Sequence, residues 1–204
     1  MTAGAYEAEV ALLVRSLPEI VDEAAFALKG GTAINLLISN LRRLSVNIDL
    51  VYLPVADRES SLAGVRDCLG RIADRIRKRI GATVDENVNR DGTKLNVRTE
   101  ATMIKVEASP VLRGTVFDPQ LMPVSVSVQD RVGYAEMNLV SFDDLYAGKI
   151  AAALDRQHPR DLFDIRYLLA NEGVSERLFT AFLVFLISHN RLPQELLSPH
   201  LLDN

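Results

Sequence analysis

Cysteine is almost absent from this 204-residue chain, Cys68 being the single one. That excludes a disulfide framework and a cysteine metal cluster. Long apolar runs are absent as well. The longest, "LFTAFLVFLI" at 178–187, is too short to cross a bilayer. The first residues, MTAGAYEAEV, carry acids and no cationic segment ahead of an apolar one, so no secretory signal is read there and the cytoplasm is the expected compartment. There is no excess of positive charge. A formal net charge of −4 argues against a general polyanion binder, although not against a local basic patch. Repeats and low-complexity linkers are missing. What is present, 48% hydrophobic and 25% charged residues, is ordinary for a folded chain. The length allows one proper core with a helical appendage.

Hydrophobic periodicity divides the chain in two. Residues 5–17 have a helical pattern. "AFALK" (25–29) reads as a strand that ends at Gly30-Gly31, and 32–40 as the helix that follows. "NIDLVYL" (47–53) alternates until Pro54 stops it. Residues 59–80 predict a long amphipathic helix. Further strands are expected near 82–88, 94–99 and 102–108, at "VSVSV" (124–128) and at "EMNLV" (136–140). From Ser141 the pattern is helical. "SFDD" has the form of a capping box, with Ser141 as N-cap and Asp144 reaching back. Helices are expected at 142–156, 159–171, 175–188 and 193–202, with Pro159 in a first turn. The chain therefore reads as a mixed α/β core, 1–140, carrying a helical bundle, 141–204.

The most informative stretch is "LKGGTAINLLISNLRRLSVNIDL" (28–50). On a strand, alternate side chains share a face. Asn47 and Asp49 then point one way, and Ile48, Leu50 and Tyr52 the other. Two oxygen-bearing side chains so placed can grip a divalent cation such as magnesium. Ahead of them Gly30, Gly31 and Thr32 sit where a strand turns into a helix. Glycines there let a phosphate approach the backbone. Arg42 and Arg43 add positive charge. Each piece alone also has a structural reading: a Gly-Gly turn is common, and Asx residues often end a sheet.

The order strand, GGT, helix, then Ser-x-Asn-x-Asp resembles the nucleotidyltransferase superfamily typified by DNA polymerase beta. "GGTAINLL…RRLSVNIDL" together with "KIAAALDRQHPRDLFDIRYLL" is similar, more narrowly, to the AbiEii nucleotidyltransferase toxins. The likeness covers roughly residues 25–170. It departs at one place, because the family pattern has Asp-x-Asp where this chain has Asn47-Ile48-Asp49. The resemblance implies a minimal nucleotidyltransferase fold, α+β, in which a mixed sheet is flanked by helices and a C-terminal bundle closes over the cleft. It implies Mg2+ or Mn2+ held by Asn47, Asp49 and a third carboxylate from a neighbouring strand. "MIKVEAS" supplies Glu107 for that role, as ligand or as base, with Lys105 on the same face. An exposed Lys/Glu strand face is the plainer alternative. Gly30, Gly31, Thr32, Arg43, Ser45 and Lys149 are the implied nucleotide contacts. The catalytic set implied is Asn47, Asp49, Glu107, Lys149 and Asp161.

The helical half offers its own anomalies. On "FDDLYAGKIAAALDR" (142–156), Lys149 and Arg156 fall in the apolar arc of Phe142, Leu145, Ala152 and Ala153, with Asp144, Gly148 and Asp155 on the polar side. Two cations in such an arc suit an anionic ligand. On "PRDLFDIRYLL" (159–169), Asp161 shares the stripe of Ile165 and Leu168, and Asp164 flanks it. A buried carboxylate there must be paired. An ion pair between the two helices is therefore the alternative to an active-site role. Residues 66–79 hold six basic and two acidic residues. Arg71, Arg75, Lys78 and Arg79 are the candidates for an RNA track. A solvated face with i,i+4 pairs from Asp67 to Arg71 and Asp74 to Lys78 is the alternative. His158 reads as a helix junction, without a second histidine at chelating distance. The family resemblance implies a toxin that transfers a nucleotide from a nucleoside triphosphate to tRNA, releases pyrophosphate and is held in check by a cognate antitoxin. Transfer to a protein or a small molecule is one rival. A nucleotide-binding member silenced at Asn47 is another.

Overall fold

The computed structural model describes residues 3–38, 47–89 and 92–198. Arg42, Arg43 and Ser45, expected near a nucleotide, lie outside the described residues. The chain forms two units, Met1–Gly114 with Pro119–Leu139, and Thr115–Asp118 with Val140–Asn204.

The first unit is built on a seven-stranded mixed sheet. Its strands are β1 (Phe26–Lys29), β2 (Asn47–Tyr52), β3 (Thr83–Asn89), β4 (Gly92–Arg98), β5 (Met103–Arg113), β6 (Gln120–Pro123) and β7 (Glu136–Leu139), in the order β3-β4-β5-β2-β1-β7-β6. β2 runs antiparallel to β1 and parallel to β5, and β7 runs parallel to β1. Alternation along β2 and β5 buries Ile48, Leu50, Ile104 and Val106 on one face. That face receives α1 (Ala3–Val21) and α3 (Arg58–Ile80). α1 contributes Val10, Leu13, Leu17 and Ile20; α3 contributes Val65, Leu69, Ile72 and Ile76, all buried. Asp57 caps α3 by accepting the Ser60 amide at 2.9 Å. Gly64 is required where α3 crosses the sheet, because a Cβ there would collide with the Tyr52 hydroxyl.

Between β1 and β2 the chain forms a short helix, α2 (Gly30–Ala33), which runs into a π-helical turn, Ile34–Ile38. "VSVSV" is not a strand. Its last two valines, Val126 and Val128, lie in α4 (Val126–Val132), and a strand unanticipated from the sequence, β6, precedes it. Val124 and Val128 are buried while Val126 is 70% exposed. Spacing of four, not two, is therefore the one that matters, and the Val128 and Gln129 amides donate to the Ser125 carbonyl.

The second unit holds α5 (Phe142–Arg156), α6 (Pro159–Asn171), α7 (Glu176–Ile187) and α8 (Pro193–Leu197). Ser141 caps α5 as expected, accepting the Asp144 amide at 3.0 Å. The Asp144 carboxylate, expected on the polar side of the helix, is buried. It accepts the amides of Val116 and Phe117 at 2.7 and 3.0 Å, which fastens that loop to α5. His158 is the N-cap of α6, its Nδ1 accepting the Arg160 amide at 3.1 Å.

The basic residues of α3 do not form the i,i+4 pairs expected of Arg71. Arg71 donates two bonds to Glu23, at 3.0 and 2.7 Å. Arg75 donates to Glu23 at 2.9 Å and to the Glu19 carbonyl at 2.9 and 2.8 Å. Arg79 meets Glu19 at 3.0 Å. Three of the four residues expected to form an RNA track thus neutralise carboxylates at the end of α1. Asp74, for its part, pairs with Arg77. The Arg71 hydrogen bond, with Arg75 beside it, holds the Glu23 carboxyl below its usual 4.5 against the upward push of burial. A depressed carboxylate contributes stability above its unfolded pKa and loses it as pH falls through the folded value. Replacing Arg71 and Arg75 together by alanine leaves Glu23 buried and unpaired. The expected loss is about 3 kcal/mol in urea unfolding at neutral pH. With the depression of Glu23 removed and only burial acting on it, its share of the acid loss of stability disappears, so the acid limb of the profile should be shallower than in the parent.

Candidate active site

The polar face of the sheet collects the residues of the GGT-to-Asp stretch. Strand register sets Lys29 on β1 opposite Asp49 on β2, Asp49 opposite Glu107 on β5, and Glu107 opposite Lys94 on β4. The next row sets Asn47 opposite Lys105 and Lys105 opposite Asn96. Directly opposed residues share a face. The structure therefore places Asn47, Asp49 and Glu107 on one face of the sheet. It adds two residues that sequence reasoning missed, Lys29 and Lys94.

Gly30 explains the GG turn. Its backbone is left-handed, φ +77°, and a Cβ there would lie 2.8 Å from Asp49 Oδ2. Only glycine allows both the conformation and the approach. Lys29, the N-cap residue of α2, gives that helix no side-chain acceptor. Thr32 is fully buried. It packs inside the turn and does not line a surface that a phosphate could reach. Burial lowers the Lys29 pKa below the ordinary lysine range, and the nearby Asp49 charge opposes that shift. Glu107 is 28% exposed and is met by Lys94 at 3.3 Å and Lys105 at 3.7 Å. Asn47 is exposed.

A magnesium ion needs several hard oxygens not already engaged by cations. Here Asp49 faces Lys29, Glu107 faces two lysines, and Asn47 offers a neutral amide. No cluster of three His, Cys, Asp or Glu side chains among the described residues could hold a metal ion. The residues present do not fit a resident divalent cation.

Lys149 and Asp161 form a separate cluster in the second unit. Lys149 Nζ donates to Asp161 at 2.8 Å and lies 3.2 Å from Asp164. Arg156 donates to Asp161 at 2.7 Å. Lys149, Asp161 and Asp164 are 7%, 2% and 3% exposed. Burial pushes the Asp161 carboxyl up, but hydrogen bonds from Arg156 and Lys149 outweigh it and hold the group below its usual range. The two cations and two carboxylates balance, and they tie α5 to α6. This is the ion-pair alternative drawn from the sequence, now extended to both carboxylates.

Two substitutions probe these clusters. Lys149→Met keeps the bulk but leaves two buried carboxylates short of a cation, so the stability measured by urea unfolding should fall by about 3–5 kcal/mol. An unchanged midpoint would show that Lys149 is not a structural partner. Gly30→Ala forces a side chain into a left-handed backbone, at a cost of about 1–2 kcal/mol. It should also displace the Asp49 carboxylate, visible in a crystal structure of the variant.

The AbiEii family model, described as a nucleotidyl transferase toxin of a type IV toxin–antitoxin system, matches residues 11–204. No individually curated protein sequence matches. Among solved structures the chain is similar to MenT4, a nucleotidyltransferase toxin from Mycobacterium tuberculosis H37Rv. The identity is 19% and the TM-score 0.66, over 90% of this chain and 66% of that one. The chain thus spans about two thirds of the length of that toxin. It is also similar to the antibiotic-resistance factor ANT(2'')-Ia, at 15% identity and a TM-score of 0.50, over 87% of this chain and 91% of that one. These likenesses show a shared fold, and they accord with the mixed sheet flanked by helices. The match over residues 11–204 carries the assignment further: the chain belongs to the AbiEii family of nucleotidyltransferase toxins.

Proposed function

We propose that this chain is the toxin half of a toxin–antitoxin pair, works in the cytoplasm, and binds a nucleoside triphosphate on the polar face around Gly30, Asp49 and Glu107. The observation that carries the reading is the close approach of Gly30 to the Asp49 carboxylate, so close that a Cβ at Gly30 would lie 2.8 Å from Asp49 Oδ2. It sets the first turn of α2 beside the acidic row, where a polyphosphate would meet backbone amides and lysines together. The acceptor is a hydroxyl of tRNA. Its oxygen forms a bond to the α-phosphorus, the bond from that phosphorus to the β-bridging oxygen breaks, and pyrophosphate leaves. The hydroxyl proton passes to Glu107. The chain contributes mainly by positioning and by charge. The Lys149–Asp161–Asp164 cluster serves as the tie between α5 and α6.

Enzymes of this class use nucleoside triphosphates and divalent metals. Asn47 stands where the family pattern has aspartate, so this chain holds one carboxylate on β2 where two are expected. We read the chain as binding nucleotide and transferring it poorly. The test compares the chain with Asn47→Asp, each incubated with labelled nucleotides in magnesium buffer and then split into RNA, protein and small-molecule fractions. Asn47→Asp should label the RNA fraction faster by on the order of a hundredfold, the scale of losing one electrostatic group at a reacting centre. Equal rates would remove position 47 from the chemistry. Label in the protein or small-molecule fraction alone would replace tRNA as acceptor. Folded, nucleotide-binding forms that label nothing would leave a binding protein.

A further inference from the structure

The charge pattern of the polar face points to a way of holding nucleotide that departs from metal bridging. Around Asp49 and Glu107 stand three lysines. Lys29 is opposite Asp49, and Lys94 and Lys105 converge on Glu107 at 3.3 and 3.7 Å. Asn47 contributes no charge. Farther out on the same face, Asp85 of edge strand β3 lies 3.9 Å from Arg98 and is offset by it. Glu136 of β7 stands on the same face beyond β1; nearer the centre, among the described residues, three cations against two carboxylates leave one net positive charge. A surface of that sign attracts a polyphosphate and repels a divalent cation. In a metal-bridged site the balance runs the other way: carboxylates in excess hold the ion, and the ion holds the phosphates.

We propose that this face binds the polyphosphate of a nucleoside triphosphate directly through Lys29, Lys94 and Lys105, with no divalent cation in the complex. In nucleotide binding Asp49 and Glu107 hold these lysines in place, while Glu107 keeps its role as proton acceptor in the transfer step. This rests on the nucleotide-binding reading given above.

Calorimetry with each of the four ribonucleoside triphosphates tests it, once in EDTA and once in excess magnesium chloride. The affinity in EDTA should lie within about threefold of that in magnesium. Lys94 and Lys105 are well exposed, so the paired Lys94→Ala, Lys105→Ala variant should fold, as circular dichroism will report. It should bind the triphosphate in EDTA at least about tenfold more weakly. Asn47→Asp adds a carboxylate to the same face; it should weaken binding in EDTA and make magnesium favourable. Magnesium raising the affinity of the parent tenfold or more would overturn the proposal while leaving nucleotide binding intact. Undiminished binding by the double lysine variant would overturn it too. No binding of any triphosphate under either condition would sink the nucleotide reading itself, and this inference with it.

Discussion

Register among three neighbouring strands is the constraint on which the candidate site depends. β1, β2 and β5 place Lys29, Asp49 and Glu107 abreast on one face. A slip of one residue on β2 would turn Asp49 into the core and bring Leu50 out. Fully buried Ile48 and Leu50 forbid that slip. The hydrophobic face of the sheet thereby positions the polar one. Gly30 locks the same arrangement from the side, because the chain can leave β1 against the Asp49 carboxylate only through a left-handed, side-chain-free residue.

Buried charge is compensated locally at three places among the described residues. Glu19 and Glu23 at the end of α1 meet the arginines of α3. Asp161 and Asp164 on α6 meet Lys149 and Arg156 of α5. Asp144 meets backbone amides of the 115–118 loop. In each case a carboxylate from one segment is satisfied by donors from another, so these groups hold elements together. The polar face of the sheet differs. Its central carboxylates, Asp49 and Glu107, are partly open, and three lysines stand around them.

That difference separates two kinds of ionisable residue that look alike in sequence. Lys149 sits in an apolar arc of α5 and suggests an anionic ligand, yet its ammonium is held by two buried carboxylates. Lys29 ends an unremarkable strand and carries no motif, yet it lies across from Asp49. Spacing along one element shows which side of it a residue occupies. It does not show which residue of another element stands opposite, and that partner decides whether a charge is structural or open to a ligand.

The sequence by itself determined the mixed α/β character, the strand–glycine–helix turn, most helix positions, and the shared face of Asn47 and Asp49. These follow from short-range periodicity and from local turn chemistry. It misled at "VSVSV", where valines two apart satisfy a strand and valines four apart satisfy a helix equally well. Only burial of Val124 and Val128 with Val126 left exposed separates the two. Tertiary structure alone decided the parallel pairing of β2 with β5, the placing of Lys29 and Lys94 around the carboxylates, and the commitment of Arg71, Arg75 and Arg79 to α1. Those partners lie about fifty or more residues apart in several cases, as in Arg71 with Glu23 and Arg79 with Glu19. Electrostatic pairing depends on distance in space, and no pattern of spacing along the chain encodes that distance.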